Sequence, residues 1–125
     1  MFINFTNHPS ASWSHEQVSA AEQYGEIFDI PFPEVDPYGD ERYLLDLAYQ
    51  YSEEIASHSP AAVLCQGEMT LSFAVASILM SRYGIPVLAA CSKRIVSTGE
   101  MGPDGEFVKT VEFRFEKFRA YSLIP

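Results

Sequence analysis

Four short stretches of the chain are rich in apolar residues: Phe2–Phe5, Glu26–Pro31, Ala61–Cys65 and Val87–Ala90, all but Glu26–Pro31 free of charge. Short apolar runs bounded by turn residues read as buried strands. Between them the pattern changes to a helical period. Val18 and Ala21 mark the inner face of a helix over His15–Tyr24, with Ser14 and Gln17 forming a capping box and Gly25 a stop. Leu44, Leu45, Leu47, Ala48, Tyr51 and Ile55 form a broad stripe along Asp40–Ser57. Thr70–Tyr83 is apolar almost all round, as in a helix covered on most sides, and Gly84 closes it. Strands that alternate with helices through short links specify a parallel sheet. The expected order is β-α-β-α-β-α-β in one domain spanning 1–125.

After Cys91 the texture changes. Lys93–Thr98 and Phe107–Tyr121 alternate polar with apolar residues, and Gly102-Pro103 and Asp104-Gly105 are turn signals between them. This predicts a C-terminal β-hairpin extension over 93–121. Its second strand can join the sheet, and its alternation slips near Glu116-Lys117.

Composition narrows the function classes. A chain of 125 residues is long enough for a core without staples. No run approaches the ~20 apolar residues of a membrane span. The start, MFINFTNHP, has neither the basic nor the long apolar region of a signal peptide, so a cytoplasmic location is the expectation. Cys65 and Cys91 read as buried thiols rather than a disulfide or a zinc pair. The net charge of −9 argues against wrapping duplex nucleic acid. That charge is uneven. Residues 1–68 carry twelve acids and one base, Arg42, whereas residues 69–125 carry five acids and seven bases. A small anionic ligand needs only a local positive pocket, and the second half can supply one.

In a parallel sheet three loops converge at the C-terminal edge: Thr6–Ser14, Gln66–Thr70 and Ser92–Arg94. On the first, His8 is the candidate acid or base, and Asn7 and Ser10 are candidates for holding a ribose or base edge. All three also suit a simple turn. On the second, Gln66-Gly67-Glu68 leads into a helix whose first amides, with Met69 and Thr70, can face an anion. A turn glycine and a dipole-compensating Glu68 explain the same residues. On the third, Ser92, Lys93 and Arg94 put two cations directly after a buried strand. No triad, metal set or carboxylate pair is present, so chemistry here is expected to need no metal and no cofactor.

Several of these segments together carry a resemblance: FTNHPSASWSHEQ after the first strand, the link DIPFPEVDP, the turn LCQGEMTLSFAV, the strand end ACSKR and the aromatic run FRFEKFRAY. They resemble small CRISPR-associated ancillary proteins with a Rossmann-like fold, related to the sensor domains that bind cyclic oligoadenylate. The likeness runs over nearly the whole chain. It implies a three-layer α/β fold and a homodimer that binds cyclic tetra-adenylate or another small anionic nucleotide in type III antiviral defence. The ligand would be held by Asn7–Ser10 and Gln66–Thr70. Some such proteins cleave the ring; others only bind it. Cleavage here would draw on His8 for proton transfer and on Lys93 for the charge at phosphorus. The sequence departs from the glycine–threonine turn common in the sensors, since Glu68 stands where phosphate would approach.

Overall fold

A computed structural model describes residues 1–125, the side chain of Glu100 excepted. It is an α/β structure with a five-stranded mixed sheet and three α-helices. The elements are β1 (Phe2–Thr6), α1 (His15–Glu22), β2 (Ile27–Asp29), α2 (Glu41–Ser57), β3 (Ala62–Gln66), α3 (Met69–Tyr83), β4 (Val87–Met101) and β5 (Phe107–Ala120). The strand order is β2-β1-β3-β4-β5. The first four strands are parallel, and β5 returns antiparallel to β4.

β1 lies between β2 and β3, and all five of its residues are buried. Its alternation divides the core in two. Ile3 and Phe5, with Val63 and Cys65 of β3, pack against α2 and α3. Phe2, with Ala62, Leu64 and Leu88, meets Ala21 of α1 and Phe118 of β5 on the other face. The helices therefore sandwich the sheet, two on one side and one on the other. The caps follow the sequence reading: Ser14 accepts from the Gln17 amide at 3.2 Å, and Asp40 accepts from the Tyr43 amide at 2.8 Å.

Two strands differ from expectation. β2 is only Ile27–Asp29, because it pairs with β1 alone and then meets Pro31. The chain still runs along β1, with Ile30 and Phe32 donating to the Asn4 and Thr6 carbonyls. Pro31, which lacks an N–H, falls at the intervening position where no donor is required. The other difference is larger. Instead of a strand Val87–Ala90 followed by a separate hairpin, β4 runs unbroken to Met101. It pairs with β3 only at Val87 and Leu88, while β5 accompanies it nearly throughout. One continuous partner is enough to carry the strand out of the body. The slip at Glu116-Lys117 is a β-bulge: Cys91 faces Lys117 and Ser92 faces Phe115, leaving Glu116 as the extra residue. Among the described residues no helix is long and apolar enough to cross a membrane.

Gly84 ends α3 at φ +63°, and a Cβ there would touch nothing within 4 Å. Replacement therefore meets only the intrinsic cost of the left-handed region. Gly84→Ala is expected to lower unfolding free energy by about 1–2 kcal/mol in a denaturant titration, and Gly84→Asn by less.

Candidate functional site

Polar residues on a fully buried strand create an obligation. Asn4 and Thr6 both sit on β1 and both are buried, so their polar atoms need partners inside the protein. They find them in the next loop. Asn4 Nδ2 donates to the His8 carbonyl at 2.9 Å and to Asp29 Oδ1 at 3.1 Å. The Thr6 hydroxyl lies 2.8 Å from Asn4 Oδ1, and it accepts from the His8 amide at 3.0 Å. Trp13 Nε1 donates to the same His8 carbonyl at 3.1 Å. Asp29 Oδ2 takes the Ser10 amide at 3.0 Å. The backbone from His8 to Ser10 is thus pinned from below, and the His8 imidazole is left exposed above it.

A second constraint acts between β3 and β4. Beyond Leu64 and Leu88 the two strands no longer pair. The Ala90 amide would lose its partner there, but Gln66 Oε1 accepts it at 2.7 Å. Gln66 therefore bridges the fork and keeps its Nε2 donors for whatever enters it.

Between the pinned loop and the bridged fork lies a cavity of about 440 Å³, lined by Thr6, Asn7, His8, Gln66, Gly67 and Ser92, with Gln17 of α1, Leu64 and Ala90 completing it. Its position is the one where open α/β sheets hold ligands. β1 has β2 on one side and β3 on the other, so successive crossovers leave in opposite directions and open a crevice at the strand ends.

Of the residues expected at the site, Asn7, His8, Gln66, Gly67 and Ser92 come together here. The others lie elsewhere. Ser10 is tied to Asp29. Glu68 and Thr70 line a separate cavity of about 330 Å³ beside Asp36 and Tyr43. Met69 is 82% exposed and faces an apolar groove of about 520 Å³ between α3 and Tyr121–Ile124. Lys93 and Arg94 are exposed on β4 beyond the cavity, opposite Arg114 and Phe113.

Glu68 is the N-cap of α3. Its carboxylate accepts from the Thr70 amide at 3.0 Å, the Leu71 amide at 2.8 Å and the Thr70 hydroxyl at 2.8 Å. The amides expected to receive an anion are therefore already occupied. Desolvation pushes this carboxyl up, but the Leu71 amide and the two Thr70 donors together hold it below its ordinary value. Gly67 also has a packing role. A methyl there would lie 2.5 Å from the Phe32 ring, so the turn must be glycine for Phe32 to close the core beneath it. Cys65 is buried, and burial pushes its thiol up to about 12 despite its contact with Ser72. It is an inert core thiol and not a nucleophile.

Reading the sequence missed Asn4, Thr6, Asp29 and Gln17 as residues that build the site. Asn4 and Thr6 had a signal, being polar positions inside an otherwise apolar strand. Asp29 and Gln17 had none, because their role depends on β2 and α1 lying beside β1. Among the described residues no group of His, Cys, Asp and Glu is arranged to hold a metal ion.

The chain belongs to the uncharacterized protein MJ1673 family, whose sequence profile matches residues 1–119. No curated protein and no solved structure matches it.

Two outcomes follow from the geometry of this turn. Gly67→Ala should destabilise the protein by about 1–3 kcal/mol through overpacking, and Phe32→Leu in the same chain should recover part of that loss in thermal melts. Glu68→Ala should cost about 1 kcal/mol at neutral pH through loss of the cap. The folded Glu68 carboxyl titrates below its unfolded value of about 4.3, so the contribution is full above that pH. It is lost as pH falls through the lower, folded value. Wild type and Glu68→Gln, compared in denaturant from pH 7 to pH 3, should converge at the acid end.

Proposed function

We propose that the protein binds a cyclic oligoadenylate, cyclic tetra-adenylate in the first instance, as a homodimeric, Rossmann-like ancillary protein of type III CRISPR defence. The observation that carries the reading is the cavity at the crossover between β1 and β3, lined by the Asn7–His8 loop, Gln66 and Ser92. Its volume, about 440 Å³, suits one nucleotide unit of a ring. Its polar groups suit the job as well. Asn7, Gln66 Nε2 and the Ser92 hydroxyl can donate to phosphate or to a base edge, and Leu64 and Ala90 give an apolar floor for adenine. The sequence resemblance is the ground for the ligand class, and the cavity's position and lining support it.

Ring cleavage is the second reading, and His8 is what favours it. The pinned loop holds its backbone still while the side chain faces the cavity. In such a step a ribose 2′-oxygen attacks its neighbouring phosphorus as His8 accepts the hydroxyl proton. The bond from phosphorus to the 5′-oxygen breaks and the leaving oxygen takes a proton from water, giving a 2′,3′-cyclic phosphate and a 5′-hydroxyl. Against a fast reaction stand two features. No lysine or arginine lines the cavity, and Glu68 occupies the α3 amides that would otherwise stabilise charge at phosphorus. Binding with slow or no turnover, as in a sensor or sponge, fits these features best.

Incubation with radiolabelled cyclic tetra-adenylate, followed by filter retention and gel separation, tests the reading. Retained, intact ligand is expected. Gln66→Leu should weaken retention roughly tenfold or more, since a buried polar contact to the ligand and the Ala90 bridge are lost together. A slow linear product with a cyclic-phosphate end that disappears in His8→Ala would establish cleavage. Failure to retain the ligand at high micromolar protein would overturn both readings.

A further inference from the structure

The sheet has two edges, and they are unlike. The β2 edge is three residues long and runs into Pro31 and Pro33. The β5 edge is fourteen residues long, and every residue from Phe107 to Arg114 is exposed. A long open edge offers a row of backbone donors and acceptors to another strand. β4 and β5 also leave the body together: from Ser92 to Met101 the arm extends about 30 Å past the ends of the parallel strands.

The arm and the residues beside it hold most of the chain's bases. Residues 91–125 hold six of the eight bases. The ion pair found among the described residues is Arg42 with Asp46, on α2, and it involves none of these six. Across β4 and β5, Arg114 faces Lys93, a like-charge pair, and Glu112 faces Ile95. Like charges directly opposite destabilise a sheet. Val111 is 49% exposed and Phe113 70%.

We infer that β5 pairs antiparallel with β5 of a second copy of this chain, about a two-fold axis at Phe113. Residues opposite one another then have numbers that sum to 226. Glu112 meets the partner subunit's Arg114, and Arg114 meets the partner subunit's Glu112. Val111 meets the partner subunit's Phe115, and Phe113 meets the partner's Phe113. Every charge in this central stretch gains an opposite, and the apolar side chains meet along one face of the joined sheet. Its Glu-Phe-Arg order is complementary to itself when reversed, which is what favours a second copy over a foreign strand. The bulge at Glu116 ends the pairing by turning the strand, before Lys109 and the partner's Lys117 would be brought together.

Length also matters. Residues 1–90 carry twelve acids and two bases. From Phe118, which packs in the body on Phe2, to the axis is five residue steps, about 17 Å in each copy. That exceeds the Debye length of ~8 Å at physiological ionic strength, so the two acidic bodies are held apart beyond strong repulsion. The inference takes up the two-copy part of the reading above and is independent of the ligand.

Light scattering and sedimentation of the ligand-free protein test it. The wild type is expected at twice 14.0 kDa. Glu112→Arg and Arg114→Glu should each raise the dimer dissociation constant about ten- to a hundredfold, because both symmetric pairs turn repulsive. The double variant, E112R with R114E, should restore the dimer. Arg114→Glu also faces Lys93, so the arm of that monomer should be no less stable, as near-UV circular dichroism would report. Hydrogen exchange on the wild type gives a check that needs no variant: outward β5 amides near Phe113 should be protected and lose protection on dilution. A wild type that is monomeric at high micromolar concentration overturns both this pairing and the two-copy reading. Single variants that dimerise as well as wild type overturn the pairing but leave the two-copy reading standing. A folded double variant that stays monomeric overturns the register.

Discussion

The buried Asn4 side chain is the contact on which the site depends. β1 is the one strand sealed along its whole length, between β2 and β3 and under helices on both faces. A polar group in that position has no access to water, and leaving it unpaired would cost on the order of 1–3 kcal/mol. Asn4 resolves this by drawing the His8 carbonyl and the Asp29 carboxylate toward it. The conformation of the loop above the strand is thereby determined from inside the core. The exposed face of that loop, with Asn7 and His8, is presented to the cavity as a consequence.

Gln66 does the equivalent work on the other side. Where β3 and β4 part, a side-chain amide replaces a missing ladder bond to Ala90. The divergence opens the crevice and the amide prevents it from unravelling. Between these two devices the turn at Gly67-Glu68 has little freedom. Glycine is there for Phe32, and the glutamate is there for the helix it caps. A strand–glycine–helix junction that suggests phosphate binding is, in this chain, a packed and self-capped turn. Any anion must be held from the loops and not from the helix.

The division of charge gives the molecule its second character. An acidic body and a slender arm that holds most of the bases are joined through one long strand, β4. Lys93 and Arg94 follow the buried part of that strand, yet they belong to the arm. Proximity in sequence to a predicted site did not make them part of it. Because β4 stays extended past the sheet's end, each further residue moves about 3.4 Å farther from the cavity.

Periodicity alone determined most of the fold. Three helices, their caps at Ser14 and Asp40, the stop at Gly84 and the slip near Glu116 are local features, written in three- to four-residue spacings or in broken alternation. The parallel order of the first four strands follows from their alternation with helices. The length of β4 was not legible, because it depends on how long β5 accompanies it. The convergence of Asn7, His8, Gln66, Gly67 and Ser92 on one cavity was legible, since strand ends of a parallel sheet must converge. Gln17, Asp29 and the function of Asn4 were not, nor was the occupation of the α3 amides by Glu68. Those depend on which side chains reach across from neighbouring strands and helices, and on which polar groups burial leaves in need of a partner. The chain's own pattern specified the elements; satisfaction of buried polar groups, a property of the assembled core, decided what the site presents.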